Sequence, residues 1–402
     1  MASYAIKQAA ELTALLICPN RSLAQQFTST LADNRTFNIL ADVKSYPTPQ
    51  ALDMRVRQLR PDLILLDLSS SFETALGLMP YIGSFRPTVH IIGLHTSSDA
   101  EIIMRSLRAG ATEFLSSPFD LATQNTVVAR VLRLRENEER TQPERGKLFA
   151  FVGAKAGYGA TTLAYNTAYG LRKSRNKVLL ADFDLLGSTI SFALKMNHHY
   201  SLLDALRHSD QLDNSLWNAL VGNAGGLEVM PSPERPESIN LEGHRVHEVL
   251  EYTRVIYEAV VVDLPAAYER IAMATLGDAD MIFVVCTPEL PSLHMTRKSI
   301  AFLDQMGFSR DRFRVLVNRM SRRNELSCRD MEKVFNFPVY CTFSEDSSTM
   351  HRALTAGKPV PSTCDLGKQI QRFSEKILAS DQGEDKKKSL LPSSLAALLP
   401  QN

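Results

Sequence analysis

The 402-residue sequence has few cysteines, one tryptophan and no long uncharged apolar stretch. Its five cysteines are scattered and include no C-x-x-C pair, which argues against a disulfide framework and a structural zinc site. Apolar runs such as 282–286 are far shorter than the roughly 20 residues of a membrane-spanning helix. The first residues lack the charged-then-apolar layout of a signal peptide. We therefore expect a cytoplasmic protein with reduced thiols.

The sequence also lacks an excess of charge of either sign. Lys and Arg number 45 and Asp and Glu 44, which gives a formal net charge of +1. This balance does not favour bulk electrostatic attachment to nucleic acid or to an anionic membrane. Hydrophobic residues make up 44% of the chain, as in ordinary globular proteins, and at about 150 residues per domain the length predicts two or three domains.

Short apolar runs alternate with helical patterns in two regions, a pattern that predicts two α/β domains with parallel sheets. We expect the first domain at 1–132, a charged linker at 133–146, the second domain at 147–380 and a flexible C-terminal tail at 381–402. The predicted strands are 14–18, 37–40, 63–68, 89–94 and 113–115 in the first domain, and 147–153, 178–182, 227–230, 259–263, 281–286, 314–318 and 339–342 in the second.

A loop of small residues, 153–162, lies between a predicted strand and a predicted helix. Small residues let backbone N–H groups turn towards a phosphate, and the helix dipole adds positive charge. Where a P-loop normally carries lysine this sequence has Ala160, while Thr161 keeps the hydroxyl that holds Mg²⁺. A strand-to-helix turn without a ligand is the alternative interpretation. The predicted phosphate-contacting residues are Gly157, Tyr158, Gly159, Ala160, Thr161 and Thr162.

Polar side chains follow three other predicted strands of the second domain. Asp182 and Asp184 end one strand, Asp263 ends another, and Asn318 ends a third with a side-chain amide able to read a purine edge. In a doubly wound sheet the carboxyl ends of the strands meet at one crevice, so these groups should converge. The set predicts a site for ATP and Mg²⁺.

The loop resembles the deviant Walker A loop of the MinD/ParA ATPases, because Lys155 lies five positions before Ala160. Its Gly-Ala-Thr-Thr ending is similar to the CpaE/TadZ branch of that family, which serves the tight-adherence (Flp) pilus system. The likeness covers roughly 147–378, and that branch carries an N-terminal receiver-like domain. The resemblance implies a receiver-like (flavodoxin-like) parallel sheet followed by a doubly wound P-loop NTPase parallel sheet.

The resemblance also implies catalytic and metal-binding roles. Lys155 would cross a nucleotide-sandwich homodimer to the partner's phosphates, and Asp184 would help to organise the attacking water. Thr161 and the Walker B acid Asp263 would hold Mg²⁺.

The resemblance further implies that Asn318, with Arg319 beside it, contacts adenine. The sequence departs from the family loop where Ala154 and Ala156 replace glycines and Ala160 replaces lysine. Loss of a charge-assisted contact should weaken phosphate binding by about 1.5–3 kcal/mol and slow phosphoryl transfer. We therefore expect ATP binding with at most weak hydrolysis.

In the first domain, Asp67 ends a strand, in the position of the phospho-acceptor of response-regulator receivers. Receiver chemistry also needs an acidic pair after the first strand and a lysine before a proline. Here residues 18–20 are Cys-Pro-Asn, and residues 116–118 are Ser-Ser-Pro. Asp67 is the candidate phospho-acceptor, and a degenerate receiver used for docking or dimerising is the favoured interpretation.

The predicted function is that of an ATP-responsive dimer that localises or organises a tight-adherence pilus machine in the cytoplasm, at the inner membrane face or the cell pole. Its expected partners are a second copy of itself and pilus assembly proteins; nothing points strongly to nucleic acid. In the tail, Lys386–Lys388 precede several leucines, but Pro392 interrupts any amphipathic helix, so membrane contact is expected to be indirect. The alternatives are a non-hydrolysing nucleotide-binding scaffold and a chromosome or plasmid partitioning ATPase.

Overall fold

A computed structural model describes residues 12–31, 36–85, 88–141, 145–175, 177–237, 242–321 and 326–389. The chain divides into two compact units, Met1–Pro143 and Glu144–Asn402. The division falls inside the predicted linker 133–146, much of which continues as helix to Thr141. Among the described residues, no helix is long and apolar enough to cross a membrane.

The first unit is built on a five-stranded parallel sheet in the order β2-β1-β3-β4-β5, which is the order of the flavodoxin-like sheet that the resemblance implied. Its central strands are uninterrupted apolar runs because helices cover both faces of the sheet. The strands are β1 (Leu12–Ile17), β2 (Phe37–Val43), β3 (Leu63–Asp67), β4 (His90–His95) and β5 (Glu113–Ser116). The helices are α1 (Arg21–Leu31), α2 (Pro49–Leu59), α3 (Phe72–Gly83), α4 (Ala100–Arg108) and α5 (Leu121–Thr141).

The second unit is built on an eight-stranded sheet in the order β13-β12-β11-β6-β10-β7-β9-β8. Its strands are β6 (Lys147–Gly153), β7 (Val178–Asp182), β8 (Gly222–Ala224), β9 (Leu227–Met230), β10 (Ala259–Leu264), β11 (Met281–Cys286), β12 (Phe313–Met320) and β13 (Val339–Ser344). The helices are α6 (Ala160–Arg172), α7 (Ile190–Ala193), α8 (Leu202–Arg207), α9 (Asn214–Leu220), α10 (Gly243–Ile256), α11 (Arg270–Asp278), α12 (Leu290–Gln305), α13 (Cys328–Phe335), α14 (Ser347–Ala356) and α15 (Asp365–Ser389). Short 3₁₀ turns lie at Ser209–Gln211 and Arg310–Arg312.

Two features of the second unit differ from the sequence prediction. The edge strand β8 pairs antiparallel with β9 across Gly225 and Gly226, whose φ angles are +58° and +88°. A two-residue turn of this kind joins a hairpin, which apolar periodicity alone does not reveal in so short a strand. In addition, α15 continues to Ser389, so part of the predicted flexible tail is helical; residues 390–402 lie outside the described residues.

The position of strand β6 in the sheet determines where the candidate site lies. This strand lies between β10 and β11, so the chain runs outward from it in both directions across the sheet. A crevice forms at such a switch point, beyond the carboxyl ends of parallel strands, and ligands bind there in open α/β sheets.

Candidate functional site

The loop between β6 and α6 has the backbone of an anion-binding loop. Gly157 and Gly159 have φ angles of +92° and +93°, which side chains other than glycine rarely adopt. A Cβ on Gly159 would lie 2.2 Å from Nδ2 of Asn318. The first backbone hydrogen bond into α6 runs from Leu163 N–H to the Gly159 carbonyl at 3.0 Å, and the N–H groups just before it have no acceptor inside the helix. Together these features give an anion-binding concavity.

The structure brings the predicted loop residues together at this turn and at the first turn of α6. Lys155 is exposed at the loop, whereas Tyr158, Thr161 and Thr162 are half-buried. Ala160 is buried at the first position of the helix, so no cation occupies the usual lysine position.

Two buried carboxylates lie beside the loop. Asp182 of β7 and Asp263 of β10 are register partners in adjacent strands. Burial raises the pKa of Asp182 to about 7, although Ser188 Oγ and the Asp184 N–H (3.2 Å) donate hydrogen bonds to it. Burial and repulsion from Asp182 raise the pKa of Asp263 well above its ordinary value. Both carboxyls therefore hold their protons more tightly than ordinary carboxyls, and a cation in the crevice would favour their ionised forms.

The Asp263 carboxylate has an oxygen available to a cation. Its Oδ1 is buried and has no hydrogen-bond partner among the described residues, while the Thr161 side chain lowers the pKa of this carboxyl. A divalent cation would satisfy that oxygen and offset the repulsion between the acids, so these residues fit Mg²⁺. Within the described residues no three His, Cys, Asp or Glu side chains form a ready-made metal cage. Mg²⁺ sites on phosphate loops need none, because waters and substrate phosphates complete them.

Asp184 lies in the turn that follows β7. Its Oδ1 accepts hydrogen bonds from the N–H groups of Leu186 (3.2 Å) and Gly187 (2.7 Å), which fix the carboxylate in the turn. Its charge acts on both Asp263 and Glu269: burial first, and then Asp184, raises the pKa of Glu269. The predicted catalytic carboxylate thus belongs to the same acidic cluster as Asp182 and Asp263.

Asn318 and Arg319, the predicted adenine contacts at the end of β12, touch the loop backbone. Asn318 Nδ2 donates to the Tyr158 carbonyl at 3.0 Å, and Arg319 Nη2 donates to the Gly157 carbonyl at 3.1 Å. Arg319 has a left-handed backbone (φ +56°), and its N–H donates to Asn318 Oδ1 at 3.0 Å.

Comparison with known proteins identifies this architecture. The AAA domain family model matches residues 146–308. The chain is 23% identical over 223 residues to the septum site-determining protein MinD of Thermotoga maritima, covering 54% of this chain and 81% of that protein. It is 26% identical over 195 residues to a virulence plasmid ParA family protein of Chlamydia psittaci, covering 46% of this chain and 74% of that protein. The crystal structure of a ParA family ATPase from Chlorobium tepidum is 26% identical, with a TM-score of 0.54 over 58% of this chain and 99% of that one.

The second unit is similar in sequence and fold to P-loop ATPases of the MinD/ParA type. The predicted doubly wound P-loop fold is thereby confirmed. The sequence predicted that Asp182 lies with the other strand-end groups at the crevice but gave it no role of its own, and it did not indicate Ser188 or Glu269. The Asp-x-Asp at the end of β7 was the available signal for Asp182. Ser188 and Glu269 approach the site through the turns after β7 and β10, which carry no local pattern.

Asp67, in the first unit, is completely buried. Its Oδ1 accepts from Ser69 N–H (2.7 Å) and Oγ (2.6 Å) and from Ser70 N–H (3.3 Å), and its Oδ2 accepts from Ser70 Oγ (2.5 Å) and Asn20 N–H (3.1 Å). Burial alone would raise the pKa of Asp67, but these hydrogen bonds lower it below the ordinary value. The carboxylate organises the turn after β3, and phosphorylation would have to break this network first.

Proposed function

We propose that this protein binds ATP with Mg²⁺, dimerises in response, and localises or organises a tight-adherence (Flp-type) pilus machine. One observation carries the nucleotide-binding part: a loop with two left-handed glycines lies beside a buried carboxylate, Asp263, one oxygen of which has no hydrogen-bond partner among the described residues. A MinD/ParA-type domain with that combination is suited to a phosphate chain and a divalent cation.

In this proposal the loop N–H groups bind the phosphates, and Thr161 and Asp263 hold the cation. Bound Mg²⁺ would supply positive charge that offsets the negative charge of the phosphates and of the buried carboxylates. Asp184, fixed by the N–H groups of Leu186 and Gly187, orients the attacking water. Because Ala160 leaves the lysine position without a cation, hydrolysis is expected to be slow.

Exposed apolar side chains support the dimer. Phe192 is 85% exposed and Leu290 is 69% exposed, and Leu186 and Tyr268 are also exposed. All four lie in segments that follow β7, β10 and β11, on the edge of the sheet where the loop presents Lys155. Exposed apolar groups gathered at one edge favour burial against a partner surface, and an ATP-bound second copy is the partner we propose.

Steady-state phosphate release with Mg²⁺-ATP, at tens of micromolar protein, tests the enzymatic part. We expect slow turnover that Asp184→Ala abolishes. Turnover equal in both proteins would remove Asp184 from its role. Binding of Mg²⁺-ATP without any turnover would favour the second candidate function, a non-hydrolysing scaffold, which Ala160 supports.

Sedimentation velocity with and without Mg²⁺-ATP tests the dimer. We expect ATP to shift the wild-type chain from monomer to dimer and expect Lys155→Ala to abolish this shift. Lys173→Ala is the matched control, since Lys173 is exposed at the opposite end of α6 from the loop. Dimerisation of Lys155→Ala at the wild-type ATP concentration would contradict the assignment.

The pilus role rests on the sequence resemblance. The Gly-Ala-Thr-Thr ending and an N-terminal flavodoxin-like sheet are both features that the CpaE/TadZ branch would show. The near-neutral net charge does not favour the partitioning alternative. Deleting the gene in the organism that encodes it should remove surface pili, and wild-type protein, unlike Lys155→Ala, should restore them. Normal pili in the deletion strain, or salt-sensitive retention of the protein on DNA, would contradict this role.

A further inference from the structure

Two consecutive residues at the end of β12 hold two consecutive carbonyls of the phosphate loop. We propose that Asn318 and Arg319 are positioning residues, which keep the loop in its anion-binding conformation rather than selecting the base. The inference rests on the proposed nucleotide-binding function and deepens it. Its basis is the pair of contacts from Asn318 Nδ2 to the Tyr158 carbonyl (3.0 Å) and from Arg319 Nη2 to the Gly157 carbonyl (3.1 Å).

Peptide geometry converts these contacts into an orientation of donors. In a planar trans peptide the C=O and the following N–H point to opposite sides. Holding the carbonyls of Gly157 and Tyr158 on the β12 side therefore directs the N–H groups of Tyr158 and Gly159 away from it. Such an arrangement needs left-handed glycines, which Gly157 and Gly159 provide. Successive N–H groups on one side form the concavity that binds an anion.

The polar atoms of Asn318 are already engaged in this task. The residue is buried, its Nδ2 bonds the loop, and its Oδ1 accepts from the Arg319 N–H. Gly159 approaches so closely that a Cβ there would meet Nδ2 at 2.2 Å. The Asn318 amide thus fits against the loop backbone as a packed part of it.

Arg319 has an unfavourable backbone for an arginine, with φ at +56°. That conformation directs its guanidinium to the Gly157 carbonyl, and the Asn318 amide oxygen holds its N–H. Since Ala160 leaves the loop without its usual lysine, phosphate binding depends more on how well the N–H groups are pre-arranged. Asn318 and Arg319 supply that arrangement from a neighbouring strand.

Calorimetric binding of Mg²⁺-ATP, Mg²⁺-GTP and Mg²⁺-tripolyphosphate separates loop positioning from base reading. We expect Arg319→Gln and Asn318→Ala to weaken all three ligands by about tenfold or more, the range of a lost hydrogen bond from a charged or buried donor. The ratio of ATP to GTP affinity should stay at the wild-type value. Arg319→Lys should recover part of the loss, and the exposed control Lys173→Gln should bind like wild type.

Results that would overturn this inference differ from the result that would refute the proposed function. Loss confined to ATP, with a changed ATP to GTP ratio and normal tripolyphosphate binding, would show that these residues read the base and would overturn the inference. Wild-type affinity in both variants would also overturn it. Failure of the wild-type chain to bind any of the three ligands would instead refute the proposed function. Arg319→Gln keeps the test open if Asn318→Ala does not fold, because the Arg319 side chain is exposed.

Discussion

At the residue scale, the buried acids of the second unit predict a pH-dependent stability. The Asp182 carboxyl has an ordinary pKa of 3.8 and a pKa of about 7 in the fold, chiefly because it is buried. Between those values the folded state holds more protons than the unfolded state, so the free energy of unfolding falls as pH rises. The expected slope approaches about 1.4 kcal/mol per pH unit for one proton. Urea unfolding followed by Trp217 fluorescence from pH 5 to 8 measures it.

Asp182→Asn should reduce that slope, because the amide does not ionise, whereas the exposed Asp210→Asn should leave it unchanged. Saturating Mg²⁺ should raise the wild-type stability more at pH 8 than at pH 5, since the cation offsets charge that exists mainly at the higher pH. Equal slopes in Asp182→Asn and wild type would contradict the assignment of this pH dependence to Asp182.

The two left-handed glycines of the loop form a matched pair for a second prediction. Alanine at either position costs about 1–2 kcal/mol in the left-handed conformation. A Cβ at Gly157 would meet no atom of the described part of the chain within 4 Å, apart from its own neighbours in sequence, while one at Gly159 would lie 2.2 Å from Asn318 Nδ2. We expect Gly157→Ala to fold with somewhat lower stability and weaker ATP binding. Gly159→Ala should displace the loop from β12 and weaken ATP binding by a further factor of about ten or more. Equal ATP affinities in the two variants would contradict this contact.

At the element scale, close packing of α6 against α15 predicts a coupled pair. A Cβ on Gly170 would lie 2.3 Å from Ser374 Oγ and 3.0 Å from Ser374 Cβ. Alanine favours helix over glycine by up to about 1 kcal/mol, but overpacking costs about 1–3 kcal/mol, so we expect Gly170→Ala to be net destabilising. In a Ser374→Gly background the same change should become neutral or stabilising. A double-mutant cycle by urea unfolding measures the coupling, and simple additivity would argue against it.

Elements and site differ in how far the sequence alone predicts them. Strands such as Lys147–Gly153 and Val178–Asp182 have the predicted bounds, because a buried parallel strand is a continuous apolar run with polar ends. The short hairpin strand Gly222–Ala224 has no such run and was missed. Loop and strand-end residues are local signals and were predicted. Contacts such as that of Asn318 with Tyr158 depend on the order of the strands in the sheet, and the sequence alone could not predict them.

At the scale of the whole molecule, the two units should respond to acid in opposite directions. The pKa of Asp67 is lowered, so the stability it gives the first unit is present above its ordinary pKa of 3.8 and is lost as pH falls through the folded value. Asp182 has the opposite effect in the second unit. Its protonation below about pH 7 removes the free-energy cost of burying a negative charge. Mild acid should therefore stabilise the second unit, whereas stronger acid should weaken the first.

One tryptophan allows the two units to be followed separately. Trp217 is the sole tryptophan and is buried in the second unit, so its fluorescence reports that unit, while far-UV circular dichroism reports both. Asp67→Ala leaves the N–H groups of Asn20, Ser69 and Ser70 without their acceptor and should destabilise the first unit by about 3 kcal/mol. We expect an earlier circular dichroism transition with unchanged Trp217 fluorescence and unchanged ATP affinity. The exposed Glu101→Ala should change neither transition. If Trp217 fluorescence instead shifts together with circular dichroism in Asp67→Ala, the units unfold as one cooperative body, and the Asp67 network contributes to the stability of the nucleotide-binding domain as well.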